Sequence, residues 1–165
     1  MKRRVLAAQN VSRMCVVCGR ENAWSLKARF LELEGGELLA VFAPLQEHQG
    51  YPGRLHGGIA SALLDETIGR AIHLSSPDRW GVTVEFAVRY LKPVPLDREV
   101  RALARITRDG SRLFEGSGEI VLDDGTVAVQ ASGKYMKLSI DRIVDDDFSQ
   151  QWFADPRATP ADVDL

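Results

Sequence analysis

Leu55-His56-Gly57-Gly58-Ile59-Ala60-Ser61-Ala62-Leu63-Leu64-Asp65-Glu66 is the stretch from which the rest of this 165-residue chain is read. Two glycines open it. The apolar residues Ile59, Ala60, Ala62, Leu63, Leu64, Ile68, Ala71 and Ile72 then cover most of the circumference of a helix over 56–74. A helix apolar nearly all round is buried inside a domain rather than laid on its surface. Asp65 interrupts that apolar run. A carboxylate within a buried helix is costly unless it has a partner or a task. At the helix start, glycine lets another molecule come close to the backbone. The free N–H groups of the first turn carry a partial positive charge and can hold a developing oxyanion.

Spacing adds a constraint. Gly57 and Asp65 are eight residues apart, which is about 12 Å along a helix axis. No carboxylate side chain covers that distance, so one carbonyl cannot touch both groups of the same helix. A site that uses both takes them from two subunits, and the expected assembly is a two-fold dimer with two equivalent sites.

The flanks supply the sheet. Residues 27–33 and 37–43 are short runs that pair around Glu34-Gly35-Gly36. Residues 44–55 hold two prolines and two glycines and read as a loop. After the helix come four strand-like runs, 81–92, 98–108, 112–122 and 126–139. They are separated by Pro93-Val94-Pro95, Asp109-Gly110 and Asp123-Asp124-Gly125. Asp-Gly supplies the backbone angles that tight hairpins need. The reading is α+β, a curved antiparallel sheet of about six strands wrapped around one long central helix. A strand contributed by a second copy would cover the sheet edge. Residues 1–14 read as an arm or short helix, 144–153 as a short helix, and the final dozen residues as frayed. The organisation is an N-terminal arm over 1–26, a core domain over 27–140 and an acidic tail over 141–165.

Composition narrows the function classes. At 45% apolar the chain can bury a core without staples. No apolar run is long enough for a membrane helix. Lys+Arg 21 against Asp+Glu 23 gives −2, which argues against a dedicated nucleic-acid binder. After Lys2, Arg3 and Arg4 the apolar run is only Val5–Ala8, too short for a secretory signal. A reduced, cytoplasmic chain is expected. Residues 1–29 carry seven basic residues and one acidic, and 141–165 carry seven Asp and two Arg. The plain reading is two solvated ends; the sharper one is a basic end that meets an anionic ligand. Cys15-Val16-Val17-Cys18 is a single C-x-x-C, and the three histidines are scattered. A structural zinc wants four ligands, and a thioredoxin-type pair wants a βαβ context. The expected role of the cysteines is packing, with no metal and no cofactor.

His56-Gly57-Gly58 with Asp65 nine residues after the histidine resembles the hot dog thioesterases, PaaI-like branch. Other segments agree in order and spacing. Cys15-Val16-Val17-Cys18-Gly19 followed by Glu21-Asn22 resembles the C-x-x-C-G-x-x-N opening of one branch, and His48-Gln49-Gly50-Tyr51-Pro52-Gly53 precedes the helix as there. Val82-Thr83-Val84-Glu85 through Tyr90-Leu91-Lys92-Pro93-Val94-Pro95, and Ala131-Ser132-Gly133-Lys134-Tyr135, resemble two of its strands. The resemblance covers roughly residues 15–140.

That resemblance implies hydrolysis of an acyl-CoA thioester in a homodimer or dimer of dimers, with acyl-CoA as substrate rather than cofactor. Gly58, with Gly57, would donate a backbone N–H to the thioester oxygen. Asp65 of the other subunit would act as general base or nucleophile, and Thr83 would orient water. His56 would brace the loop. Many relatives place Asn or Gln six residues before the histidine; here Gly50 stands there, with Gln49 or His48 as substitutes. Glu66 is expected in an ion pair near the substrate, and His73 as a cap or surface residue. Lys92, Arg108 and Arg112 are candidates for the CoA phosphates; Trp24, Trp80 and Phe86 for the acyl tunnel. Two rivals remain: a non-catalytic acyl-CoA or metabolite-binding module, and an acyl-CoA hydratase. The latter fits poorly because His56 precedes Asp65 instead of following it.

Overall fold

The central helix α1 runs Gly57–Arg70 and tightens into a 3-10 turn over Ala71–Leu74. Its start is fixed by His56, whose Nδ1 accepts a hydrogen bond from the Gly58 N–H at 2.9 Å. Leu63, Leu64 and Ile68 are wholly buried. This is a computed structural model, and it describes residues 2–145 and 147–165.

The strands are β1 (Lys2–Ala8), β2 (Val11–Ser12), β3 (Arg29–Leu33), β4 (Glu37–Phe42), β5 (Trp80–Tyr90), β6 (Val100–Asp109), β7 (Leu113–Val121), β8 (Val127–Leu138), β9 (Trp152–Phe153) and β10 (Asp162–Asp164). Eight of them form one antiparallel sheet in the order β10-β1-β3-β4-β6-β7-β8-β5, with α1 packed against β4 to β8. β2 and β9 pair separately. The main core joins the helix to one face of the sheet through Phe30, Leu38, Phe114, Ile120 and Tyr135. A smaller core on Val5, Leu31, Leu33, Leu39 and Leu103 is covered by Val163 and Leu165 of the C-terminal segment.

The α+β hot dog architecture is as read from the sequence, but the sheet has eight strands rather than about six. The additional ones come from segments taken for an arm and a frayed end. Residues 2–8 form β1, not a helix, pairing with β3 and β10. The last residues are tied down: Val5 N–H donates to Ala161 O at 2.9 Å and Arg101 reaches Asp164 O at 3.1 Å. The predicted helix over 144–153 spans Asp146, which lies outside the described residues; those described form a 3-10 turn at Phe148–Gln150 and then β9.

Candidate active site

Asp65 projects from the middle of α1, half-buried, and receives two hydroxyls. Thr83 Oγ1 donates to its Oδ1 at 3.0 Å and lies 3.2 Å from its Oδ2. The Tyr135 hydroxyl donates to Oδ1 at 3.0 Å. The two hydroxyls fix the orientation of the carboxylate. Thr83 is aimed at the helix by a local irregularity: the β5–β8 register shifts between Thr83 and Glu85. Bulges of this kind re-aim side chains beside active sites. Tyr135 is wholly buried, stacked on Phe114 at 5.0 Å. Its ring lies over Gly133, where a Cβ would sit 2.5 Å from the ring. Burial, and then the Asp65 charge, push the Tyr135 hydroxyl well above its ordinary range, so it keeps its proton and donates a hydrogen bond to Asp65.

The carboxylate opens into a small pocket lined by Glu66, Gly69, Arg70, Trp80, Thr83 and Tyr135. Glu66 is turned to Arg70, an i,i+4 ion pair at 2.8 Å. Arg70 is almost fully buried and is held on every side. Its guanidinium lies 4.2 Å from the Phe30 ring centre and 4.6 Å from that of Trp152. It also donates to Asn10 O at 2.8 Å and to Cys18 Sγ at 2.9 Å. Cys15, Cys18 and Glu66 bring three potential ligand atoms within 4.8 Å of one another. Arg70 already supplies the positive charge there, so the donor set does not fit a metal ion that would need that place.

His48, Gln49, His56, Gly57 and Gly58 lie at the other end of α1, around its start. Gly58 N–H is engaged by His56. No acceptor for the Gly57 N–H is found among the described residues. Tyr90 donates its hydroxyl to Gly57 O at 2.9 Å and so receives the Ser61 hydroxyl at 2.5 Å. His48 is buried; its Nδ1 accepts from the Leu45 N–H at 2.9 Å, and burial holds its pKa down. Gln49 Oε1 accepts from the Gly53 N–H at 2.9 Å. Lys92 lies just beyond β5 at the Gly57 end, whereas Arg108 and Arg112 flank the β6–β7 hairpin, Arg108 facing Glu115 at 3.6 Å. Trp80 lines the Asp65 pocket, Phe86 packs on the core, and Trp24 is 80% exposed. His73 is not a surface residue: its ring packs against Trp80 at 4.7 Å and Trp152 at 6.2 Å. Burial and the nearby Arg70 charge lower its pKa to about 4.

Residues 52–129, from the loop before α1 into β8, match the family model of the thioesterase superfamily. A solved thioesterase superfamily protein, RHA08564, superposes with a TM-score of 0.70 at 29% identity, over 76% of this chain and 64% of that one. The chain has the hot dog fold and is similar to thioesterase superfamily proteins. Among curated relatives, the uncharacterized protein C26H8.11c of Schizosaccharomyces pombe is 26% identical over 114 residues, 67% of this chain and 65% of that protein. Acyl-coenzyme A thioesterase 13 of Homo sapiens is 24% identical over 102 residues, 62% of this chain and 72% of the human protein. This hot dog chain therefore spans just under two thirds of the yeast relative it matches. Asp65 and Thr83 fall inside the family match; Tyr135, the cysteine pair and the C-terminal segment fall outside it. No helix among the described residues is long and apolar enough to cross a membrane.

Sequence reasoning missed Tyr135 and Arg70 as parts of the site. Tyr135 was quoted only as a strand motif; its signal was Gly133 two residues earlier, the space a ring folds over. Arg70 lies in a helix that is otherwise largely apolar, and the Glu66 ion pair, the Asn10 and Cys18 acceptors and the Phe30 and Trp152 rings together explain its burial.

Proposed function

We propose that the chain hydrolyses acyl-CoA thioesters across a homodimer interface. The observation that carries this is the Asp65 carboxylate, which lines a pocket and is held by the Thr83 and Tyr135 hydroxyls. The match to the thioesterase superfamily model and the likeness to the human acyl-coenzyme A thioesterase support the substrate class.

In this reading Asp65 is the general base. Oδ1 takes two hydroxyls, which leaves Oδ2 the freer oxygen to accept a proton from water. Thr83 Oγ1, within reach of both oxygens, orients that water. The hydroxide attacks the thioester carbonyl, and the oxyanion is met by the backbone of a helix start. Gly57 N–H is the open donor, and Gly58 N–H, bonded to His56, holds the first turn in shape. Collapse of the tetrahedral intermediate expels the CoA thiolate. Lys92, Arg108 and Arg112 are the cations assigned to the CoA phosphates.

The helix start and Asp65 of one chain are about 12 Å apart along α1, so the donor and the base come from different copies. β5 is the terminal strand of the sheet and pairs only with β8 among the described residues. Gly57 lies by Tyr90 at one end of β5, and Asp65 lies by Thr83 towards the other. An antiparallel two-fold pairing of β5 with a second β5 would therefore bring each Gly57 towards the other chain's Asp65.

The test is release of free thiol from a panel of acyl-CoAs by the wild type and by Asp65→Asn. Loss of a general base costs about 10²–10⁴-fold in kcat, with the dimer unchanged by light scattering. A fully active Asp65→Asn would overturn the mechanism. Tight acyl-CoA binding without hydrolysis by the wild type would favour a binding module.

A further inference from the structure

The Cys15–Cys18 loop lies outside the family match and takes no part in the chemistry above. Its construction is elaborate for packing alone. Gly19 N–H donates to Cys15 O at 2.8 Å, closing the loop into a turn. A Cβ on Gly19 would lie 2.3 Å from that same oxygen. Asn22 ties both flanks, donating to Met14 O at 3.1 Å and accepting from the Trp24 N–H at 2.9 Å. Lys27, at a left-handed φ of 56°, sends its ammonium to the carbonyls of Gly19, Arg20 and Asn22 at 2.8, 2.8 and 2.6 Å. Two thiols are thereby held in one rigid turn, with their sulfurs within 4.8 Å.

The two thiols are not equivalent. Cys18 is completely buried, whereas Cys15 is partly accessible between the exposed Met14 and Val16. Cys15 Sγ accepts the Val17 N–H at 3.3 Å. Cys18 Sγ accepts the Ser12 N–H at 3.3 Å and the Arg70 guanidinium at 2.9 Å. One accessible thiol with a second, buried thiol beside it is the arrangement of an attacking and a resolving cysteine. We propose that Cys15 and Cys18 form a reversible intrachain disulfide with a peroxide as the oxidant.

The steps balance. The Cys15 thiolate attacks the peroxide O–O bond, giving a sulfenic acid and releasing an alkoxide or hydroxide. The Cys18 sulfur then attacks the Cys15 sulfur, and the leaving hydroxide departs with the Cys18 proton as water. Two electrons pass from the two thiols to the peroxide. A hydrogen bond from the Cys18 thiol lowers the Cys15 pKa to about 7, which supplies the thiolate, while the same bond and burial raise that of Cys18. Arg70 stabilises charge on Cys18 as it becomes the second attacker. A residues i to i+3 turn keeps Cα atoms within about 7 Å, the range a disulfide spans. Oxidation would take the thiol from Arg70, which also holds Glu66 and borders the Asp65 pocket.

The experiment uses the whole wild-type chain with no acyl-CoA, so its outcome is separate from that of the hydrolase reading. In the reduced chain at neutral pH, Cys15 should alkylate with iodoacetamide more than about tenfold faster than Cys18. A stoichiometric pulse of hydrogen peroxide should then block alkylation at both cysteines, with a mass loss of about 2 Da per chain. Peptide mapping should join Cys15 to Cys18, and dithiothreitol should reverse it. Cys18→Ser should stop at a sulfenic acid on Cys15 that dimedone traps. Should that variant fail to fold, the wild-type alkylation order and cross-link still decide. Two thiols still alkylatable after peroxide, a cross-link between chains, or a zinc ion retained on the untreated thiols would each overturn the proposal.

Discussion

At one end of the sheet β10 lies along β1, and Val163 and Leu165 close over Val5, Leu31 and Leu39. At the other end the 11-residue β5 pairs on one side only among the described residues, with Val82, Val84 and Tyr90 exposed. An unpaired strand of that length invites another chain, and folded proteins manage such edges by covering or pairing them. The chain covers one edge with its own C-terminal segment. The edge it leaves open is the one beside the Asp65 carboxylate. In the proposed dimer, the difference separates the edge the chain closes by itself from the edge a second copy would pair with.

The largest expected effect breaks that contrast at the open end. In the proposed dimer, Val84→Lys would place a charge on the strand edge that pairs, at a cost of several kcal/mol. The dimer dissociation constant should rise by at least about a hundredfold by sedimentation, activity should fall with dilution, and unfolding of the single chain should hardly change. The same substitution at the covered end, Val163→Lys, should do the reverse. It removes an apolar side chain from the small outer core, so stability to urea should drop by about 1–3 kcal/mol with assembly intact.

An effect of intermediate size concerns the place where the C-terminal segment reaches the start of β5. His73 packs there against Trp80 and Trp152, with a pKa lowered to about 4 against an ordinary 6.5. The unfolded chain binds a proton at His73 from about pH 6.5 downward, and the folded chain does so only near 4. The resulting stability is present above about pH 6.5 and is lost as pH falls towards 4. After allowance for partial exposure the loss is about 2 kcal/mol. Denaturant titrations at pH 7 and pH 4.5 measure it, and His73→Phe should flatten that part of the profile.

The smallest effect sharpens the site itself. Tyr135→Phe keeps the stacked ring and removes one donor to Asp65 Oδ1. A hydrogen bond to a charged group is worth about 1.5–3 kcal/mol at most, and Thr83 still holds the carboxylate, so kcat should fall by about tenfold with KM little altered. Loss of the fold instead would mean that Tyr135 acts through packing.

The helix and the four strands after it were legible because each carries a local signal: apolar periodicity for α1, Asp-Gly turns for the two hairpins. β1 and β10 were not, because their partners lie far away in sequence. Lys2–Ala8 shows no clean alternation, and it becomes a strand only because β3 and β10 offer it partners. The Pro- and Asp-rich tail likewise reads as loose until Arg29 and Arg157 hold Asp155. Asp65 stood out as a charge within an apolar run. The hydroxyls around it depended on the shift at Thr83/Glu85 and on a ring folding over Gly133, neither of which is written in spacing.

The aromatic cluster also gives the molecule an optical readout of its own. Two of its three tryptophans, Trp80 and Trp152, lie 4.7 Å apart between ring centres although 72 positions separate them in the chain. Trp152 sits on the Arg70 guanidinium, and Trp80 borders the carboxylate pocket, while Trp24 stands in solvent. Emission from this half-buried pair, set against the red-shifted signal of Trp24, reports without any label whether the C-terminal segment is docked beside the pocket while a ligand enters or leaves.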